Sequence, residues 1–587
     1  MSRVLACLVA LFLVPSSTSA QGVVGRFING VVVGPPNGQP PRDVRPVTGR
    51  STLRGRIVAA DGGQPMRRVI VRVTAPELRG ARTVLTDVDG RYEFRELPAG
   101  RYSISASKPP FVSWSYGQTQ PAGPGKPLVI ADNQTAESID IRLPRGSVIT
   151  GRVTDDFGEP APGANVMLMR SQFSQGQRRL VQTGGRASTN DIGEYRIFGL
   201  APGQYYVSAT VAQGMIGGGG VEGEETRSGY SPTFYPGTAE MTSAQKLTLA
   251  TAQTLSDIDF ALVPTRLATI SGVAVDSEGR PFAVGFVSIM PRGGMISFGA
   301  GGGPLRPDGT FTVPNVSPGE YLLRANAPQP PPAPGTPFEP PVFSIAVVTV
   351  NGEDVTGVRL APVVPVTISG RVFFDDQRAA QSLKPSAIRI VGQALSPDDA
   401  AMGVGGAPGR PSPTVQDDFT FELKTAAGRI ALRAIIPSTS ATPTEWQVKA
   451  IRVNATDVTD SGIDVGSQGV RGVEIELTNR LQQISGMVTD ARGGAVNDYV
   501  VVLFAQDRTR WSAASNRYVA IGRPADEGRF KVATLPPGEY YGIALDRADP
   551  TEWQDPEFLE GLSRQASTFS LAQGETKTLA LRLFRLQ

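Results

Sequence analysis

The chain has 587 residues, with 57 Lys and Arg against 54 Asp and Glu for a net charge of +3, a single cysteine, and no histidine. Such a length exceeds one hydrophobic core, and a near-neutral balance gives no field that would gather nucleic acid. The lack of histidine removes the commonest general base, the usual zinc ligand and every Ser-His or Cys-His pair.

Met1 to Ala20 begins with Arg3, runs apolar from Val4 to Val14 and closes on Thr18-Ser19-Ala20. This is the pattern of a secretory signal peptide spanning 1–20. Its apolar run is too short for a stable membrane anchor, so no transmembrane segment is expected in the mature chain. Export would place the protein in the periplasm, at the outer membrane or outside the cell. Cys7 lies inside this leader, so the mature chain is expected to lack disulfides and thiolate ligands. Val4-Leu5-Ala6-Cys7 has the outline of a lipidation motif, but almost no apolar stretch precedes it.

Residues 21–51 are rich in glycine and proline and read as a flexible arm. Then a unit opens that recurs along the chain. Its start reads Leu53-Arg54-Gly55-Arg56-Ile57-Val58, and later Ile149-Thr150-Gly151-Arg152-Val153, Ile270-Ser271-Gly272-Val273, Ile368-Ser369-Gly370-Arg371-Val372 and Ile484-Ser485-Gly486-Met487-Val488. A second signature follows each start. In the first copy it is Asp89-Gly90-Arg91-Tyr92-Glu93-Phe94, then Leu97-Pro98-Ala99-Gly100-Arg101-Tyr102. The other intact copies run from Gly193 to Tyr205, Gly309 to Tyr321 and Gly528 to Tyr540, with ten residues from first glycine to second in each. The fourth copy is worn: Asp417-Asp418-Phe419 stands where Gly-x-aromatic is expected, and Gly428-Arg429-Ile430 replaces the Pro-Gly-x-Tyr corner.

The physics of the signature is that of a hairpin. Glycine admits the positive φ of a tight turn, and Tyr92 and Phe94 alternate with polar residues as on a half-buried strand. The Leu-x-x-Gly-x-Tyr corner predicts a tyrosine hydroxyl bonded back to an upstream backbone group. Strand-like runs such as Val69–Val73 and Val500–Phe504, and closing strands such as Leu128-Val129-Ile130 and Ile139–Leu143, bring the count to about seven strands per hundred residues, the scale of a β-sandwich. Helix is nearly absent, with one candidate at Asp555-Pro556-Glu557-Phe558-Leu559-Glu560. Low-complexity inserts at 214–229, 291–304, 328–341 and 396–413 read as exposed loops. The glycine runs at 217–220 and 301–303 lack the Lys-Ser/Thr and helix of a phosphate loop.

Together the two signatures resemble the carboxypeptidase regulatory-like domain, across nearly everything after Arg50. The resemblance implies a transthyretin-like (prealbumin-like) sandwich, a relative of carbohydrate-binding-like and collagen-adhesin B-type modules. It is similar to large multi-repeat secreted proteins of Gram-negative soil bacteria. The namesake peptidase's zinc-binding histidines have no counterpart in this sequence. Repeats of this kind also stand at the front of outer-membrane receptors, but the long series of amphipathic strands of such a barrel is missing. The expected fold is therefore all-β: a tandem array of five seven-stranded Greek-key sandwiches at 52–146, 147–265, 266–364, 365–479 (the divergent copy) and 480–587.

Aromatic residues beside the signatures are the candidate ligand contacts, since a flat ring can stack on a sugar. They are Trp114 and Tyr116 in the first repeat, Tyr230, Phe234 and Tyr235 at the comparable place in the second, and Trp511 and Trp553 in the fifth. Plugging the open end of each sandwich is the plainer use for such rings. Asp87-Val88-Asp89-Gly90 and Asp155-Asp156 hint at calcium but lack a distal bidentate glutamate, and turn chemistry accounts for them. Lysine is absent from the first strands, where Arg56, Arg152 and Arg371 stand, so the isopeptide crosslinks of the adhesin relatives are not expected.

The sequence thus reads as a non-catalytic exported scaffold that binds carbohydrate, or as a structural spacer or protein–protein adhesion module at the cell envelope. Its partners are a glycan or an envelope protein, with no nucleic acid, no metal and no cofactor; it names no oligomeric state. A carboxylate-dependent glycosidase is the alternative of a different class, but no acidic pair stands out.

Overall fold

A computed structural model describes residues 26–28, 31–33, 49–78, 80–121, 123, 125–174, 177–211, 228–282, 284–292, 301–326, 343–381, 383–404, 415–436, 446–512, 517–524, 528–533, 535–548 and 552–586. The expected signal peptide, 1–20, and most of the low-complexity inserts lie outside them. Of the expected arm, Arg26–Ile28 pairs antiparallel with Val31–Val33. These strands belong to a unit, Met1–Pro46, separate from Val47–Gln587.

The second unit is nearly all β, and one arrangement recurs in it. In each repeat the opening strand lies between two neighbours. Ser51–Ala59 takes Arg91–Leu97 antiparallel on one side and Ile141–Leu143 parallel on the other. The same three-way pairing is built by Ser147–Thr154, Ala268–Ala274, Val366–Phe374 and Gln483–Thr489. The second sheet pairs the next strand with the one that carries the corner tyrosine, as Ile70–Thr74 does with Gly100–Ser107 and Val500–Ala505 with Gly538–Leu545. The two strands of the signature therefore never pair with each other: they lie in separate sheets in the first, second and fourth repeats, and apart within one seven-stranded sheet in the third and fifth. This corrects the hairpin expectation: the Pro-Gly corner carries the chain across the sandwich instead of folding it back on itself.

The glycine of each opening strand has a steric cause. A Cβ at Gly55, Gly151, Gly272, Gly370 or Gly486 would overlap the carbonyl oxygen of Ile139, Ile258, Val358, Val473 or Leu579, each on or beside the repeat's closing strand. Only a residue without a side chain lets the parallel neighbour come this close. In the first two repeats the same carbonyl accepts a phenol: Tyr92 donates to Ile139 at 2.6 Å and Tyr195 to Ile258 at 2.8 Å.

The tyrosine corner forms as the spacing predicts. Tyr102 donates to the Pro98 carbonyl at 2.6 Å, Tyr205 to Ala201 at 2.7 Å, Tyr321 to Ser317 at 2.9 Å and Tyr540 to Pro536 at 2.7 Å. The worn fourth copy keeps the architecture in a different register. Phe419, not Asp417, takes the place of the turn glycine, with φ +64 and its carbonyl accepting from Val372, as Gly90 accepts from Ile57. Phe421 then fills the Tyr92 position, pairing with Gly370. One residue is saved further on. The first three copies carry a bulge at Glu96, Gly199 and Asn315, all at positive φ, whereas the pairing of Val366–Phe374 with Thr420–Thr425 runs without a shift.

Buried residues form clusters that follow one another along the chain: Leu53 to Leu143, Ile149 to Leu262, Ala268 to Leu360, Val366 to Leu477, and two adjoining clusters between Ile484 and Leu581. The expected helix forms as Pro556–Ser563, capped by Asp555, whose side chain accepts from the Glu557 amide. Two short helices, Gln377–Ala380 and Pro397–Ala401, were not expected; each is capped by a side chain, Asp376 and Ser396. Two inserts read as loops are partly regular, since Pro397–Ala401 is helical and Gly302–Pro304 pairs with Phe286–Ser288.

The repeats also touch over long distances. The long hairpin of Asn165–Ser174 and Gln177–Ser188 carries Arg178, whose guanidinium grips Asp555 at 2.9 Å through Nε and through Nη2, and Glu557 at 2.6 Å. Gln120 Nε2 donates to the Asp546 carbonyl at 2.6 Å. Arg517 and Tyr518 both donate to Asp460, at 2.6 and 2.7 Å. The fifth repeat therefore makes side-chain contacts with the first, second and fourth.

Candidate functional site

The structure sorts the candidate aromatics by what their faces touch. Phe234 is 1 % exposed, enclosed with Met169 and Leu180, and Trp511 is 2 % exposed, its Nε1 donating to Ala505 O at 2.6 Å and its ring edge-on to Phe504. Neither ring has a face left for a sugar, which corrects both assignments: strand pairing on the sandwich edge turned Phe234 inward, and a buried carbonyl drew in the indole N–H. Tyr235 is half-buried against Phe260, with centroids 6.2 Å apart. Tyr230 is also half-buried and donates to Asp156 Oδ1 at 2.9 Å; burial and this carboxylate push its phenol up to about 12. Trp553 packs on the cluster that holds Trp511.

Trp114 and Tyr116 are half-buried on the edge of the first core. The backbone places them firmly. Trp114 pairs with Ala106, Tyr116 N donates to Ile104 O, and Trp114 Nε1 donates to Gln118 O at 2.8 Å. Gln118 closes the loop through Ser115 N and Gln120 O. With its N–H already used, the indole has only its surface left to offer a ligand.

That surface borders a cavity of about 310 Å³ whose walls are mostly apolar. Ala60, Val112, Trp114 and Pro144 line it from the first repeat, and Pro202 and Thr251 close it from the second. Arg142 and Arg145 also stand on its walls, both exposed. The chain brings them there because the segment leading to Trp114 crosses over the closing strand: Val112 N bonds Pro144 O, and Phe111 bridges to Arg145. Alternation along Ile139–Leu143 shows that Arg142 faces outward. Nothing in that run announces which segment lies above it, so both arginines and the wall from the second repeat escape sequence reasoning.

The acids considered for calcium cap turns. Asp87 Oδ1 accepts from the amides of Asp89 and Arg91, and Asp155 Oδ1 from those of Phe157 and Glu159. Among the described residues no group of three or more Asp, Glu, His or Cys is arranged to hold a metal ion.

Residues 52–144 and 148–215 match the model of the carboxypeptidase regulatory-like domain. Over 70 residues the chain is 36 % identical to the TonB-dependent transporter Oar of Myxococcus xanthus, a stretch that covers 12 % of this chain and 7 % of the transporter. Among solved structures, the minor pilin GBS52 of Streptococcus agalactiae aligns at 14 % identity over 37 % of this chain and 97 % of its own, with a TM-score of 0.20. The shaft pilin SpaA of Lactobacillus rhamnosus GG aligns at 12 % over 37 % and 98 %, with a TM-score of 0.18. No helix among the described residues is long and apolar enough to cross a membrane. The similarity to the carboxypeptidase regulatory-like domain is carried by the first repeat and by the part of the second up to residue 215.

Proposed function

We propose that this chain is a non-catalytic, exported binding scaffold of the cell envelope, cut from its leader after Ala20 and divided into sandwiches at 52–146, 147–265, 266–364, 365–479 and 480–587. Its ligand is carbohydrate, bound in the cavity between the first two repeats. The observation that carries this reading is the half-buried Trp114, whose ring borders an apolar cavity of ligand size. Tyr116, Tyr230, Tyr235 and Trp553 remain packing residues with partly exposed edges.

A glycan array probed with the protein, and again with Trp114→Ala, tests this. Binding that disappears with Trp114 and survives Tyr235→Ala supports the cavity. Binding indifferent to Trp114, or none, removes it. A second reading, a protein–protein scaffold, is favoured by the charged contacts that already lock repeats together, Arg178 with Asp555 and Arg517 with Asp460. It gains if no glycan binds and envelope proteins are captured through a surface remote from Trp114. Turnover of any polysaccharide would return the glycosidase reading.

A further inference from the structure

Resting on the carbohydrate reading of the Trp114 cavity, we infer that its ligand is an acidic sugar, held by its carboxylate on Arg142 and Arg145 while its ring lies on Trp114. Among the described residues the charge of the cavity wall is of one sign: both ionisable residues lining it are arginines, and no carboxylate stands with them. Three other arginines of this repeat do sit beside acids: Arg54 and Arg95 share Glu93 at 2.7 and 2.8 Å, and Arg91 lies 4.0 Å from Asp89. A planar guanidinium matches a carboxylate with two parallel donors, which an ammonium does not. The remaining walls, Val112, Trp114 and Pro144, offer apolar contact and no competing anion.

The site is also built to keep its shape. Trp114 is tied through Gln118 to Gln120, and Gln120 to Asp546 of the fifth repeat. Asp546 is itself fixed, its carboxylate accepting from Leu586 N at 3.1 Å. Little ordering is then left to be done when a ligand enters, which favours binding by a small sugar.

The test is isothermal titration of the full chain with short oligogalacturonates and with neutral oligogalactosides of the same length. The expected result is binding of the acidic series, weakened about tenfold by either Arg142→Gln or Arg145→Gln and weakened further by added salt. Arg142→Lys should restore only part of the loss. Trp114→Ala should abolish binding of both series. If neutral sugars bind as well as acidic ones, with Trp114 needed and the arginine variants silent, the acidic class is wrong while the carbohydrate site stands. If neither series binds and circular dichroism shows every variant folded, both are wrong.

Discussion

Replacing Gly55 with alanine puts the repeated architecture under its most local stress. The new Cβ would overlap the Ile139 carbonyl oxygen, where carbon and oxygen ordinarily keep roughly 3.3–3.6 Å. Both partners are backbone, so the closing strand itself must move, by on the order of 1 Å. That shift disturbs Ile139 N to Arg54 O at 3.1 Å, Arg56 N to Asp140 Oδ1 at 2.8 Å and the Tyr92 phenol on Ile139 O. Overpacking costs about 1–3 kcal/mol, and each weakened bond adds on the order of 1 kcal/mol. A loss of about 4 kcal/mol from the first repeat follows, a large share of the stability of a domain of this size. The assay is hydrogen exchange resolved by peptide, because a chain of several cores has no single unfolding midpoint. Protection across Ser51–Ala59 and Ile141–Leu143 should fall by about a thousandfold, with the fifth repeat little changed away from its contacts. Gly561, helical and with nothing within reach of a Cβ, is the control: Gly561→Ala should raise stability by up to about 1 kcal/mol. Gly55→Ala with protection unchanged would refute the close-approach argument.

Further outcomes follow from the same contacts. Tyr102→Phe removes the hydroxyl from the Pro98 carbonyl in a buried corner and should cost about 1–3 kcal/mol, read as faster exchange in Gly100–Ser107; no change would mean the corner bond is dispensable. Burial raises the phenols of Tyr92, Tyr195 and Tyr540 well above their ordinary range. Their contribution is whole below about pH 10 and is lost as pH climbs toward the raised folded values, since only the unfolded chain ionises in that window. A spectrophotometric titration should therefore show these phenolates appearing together with unfolding, and ordinary titration in a folded chain would contradict the burial. Arg178→Gln removes the grip on Asp555 and Glu557 but leaves the Asp555 cap on Glu557 N, so the helix should persist while the hairpin that carried Arg178 loosens from it. Because Arg178 is partly exposed, the cost is small, about 1 kcal/mol or less. Modestly faster hydrogen exchange in Gln177–Ser188 is expected in the variant and in the native chain at high salt; equal exchange in all three would refute the grip.

What could be read from the sequence was what repeats. The period-two strands, the corner tyrosines and the Asp555-Pro556 helix start are local chemistry, and each formed where its residues stand. The worn copy shows the limit. The turn needs a positive φ, which Phe419 supplies without being glycine, so matching glycine by identity displaces the register by two residues. The signature's two strands pair with other strands and not with each other because partners are chosen across the sandwich, by contacts such as Gly55 with Ile139, not by neighbours in sequence. The aromatic candidates part from one another for the same reason. Phe234 and Trp114 look alike beside their corners, yet one faces a pocket formed by Met169 and Leu180 and the other a seam between repeats. That seam, with Arg142 and Arg145 on its wall, exists only once the second repeat is placed.

The most direct measurement is a crystal structure of the protein grown with whichever glycan binds it most tightly. The result predicted is sugar density over the Trp114 ring, between the first and second repeats, with Arg142 and Arg145 turned onto the ligand. Density at any other surface, with the Trp114 cavity filled only by solvent, would contradict the proposal.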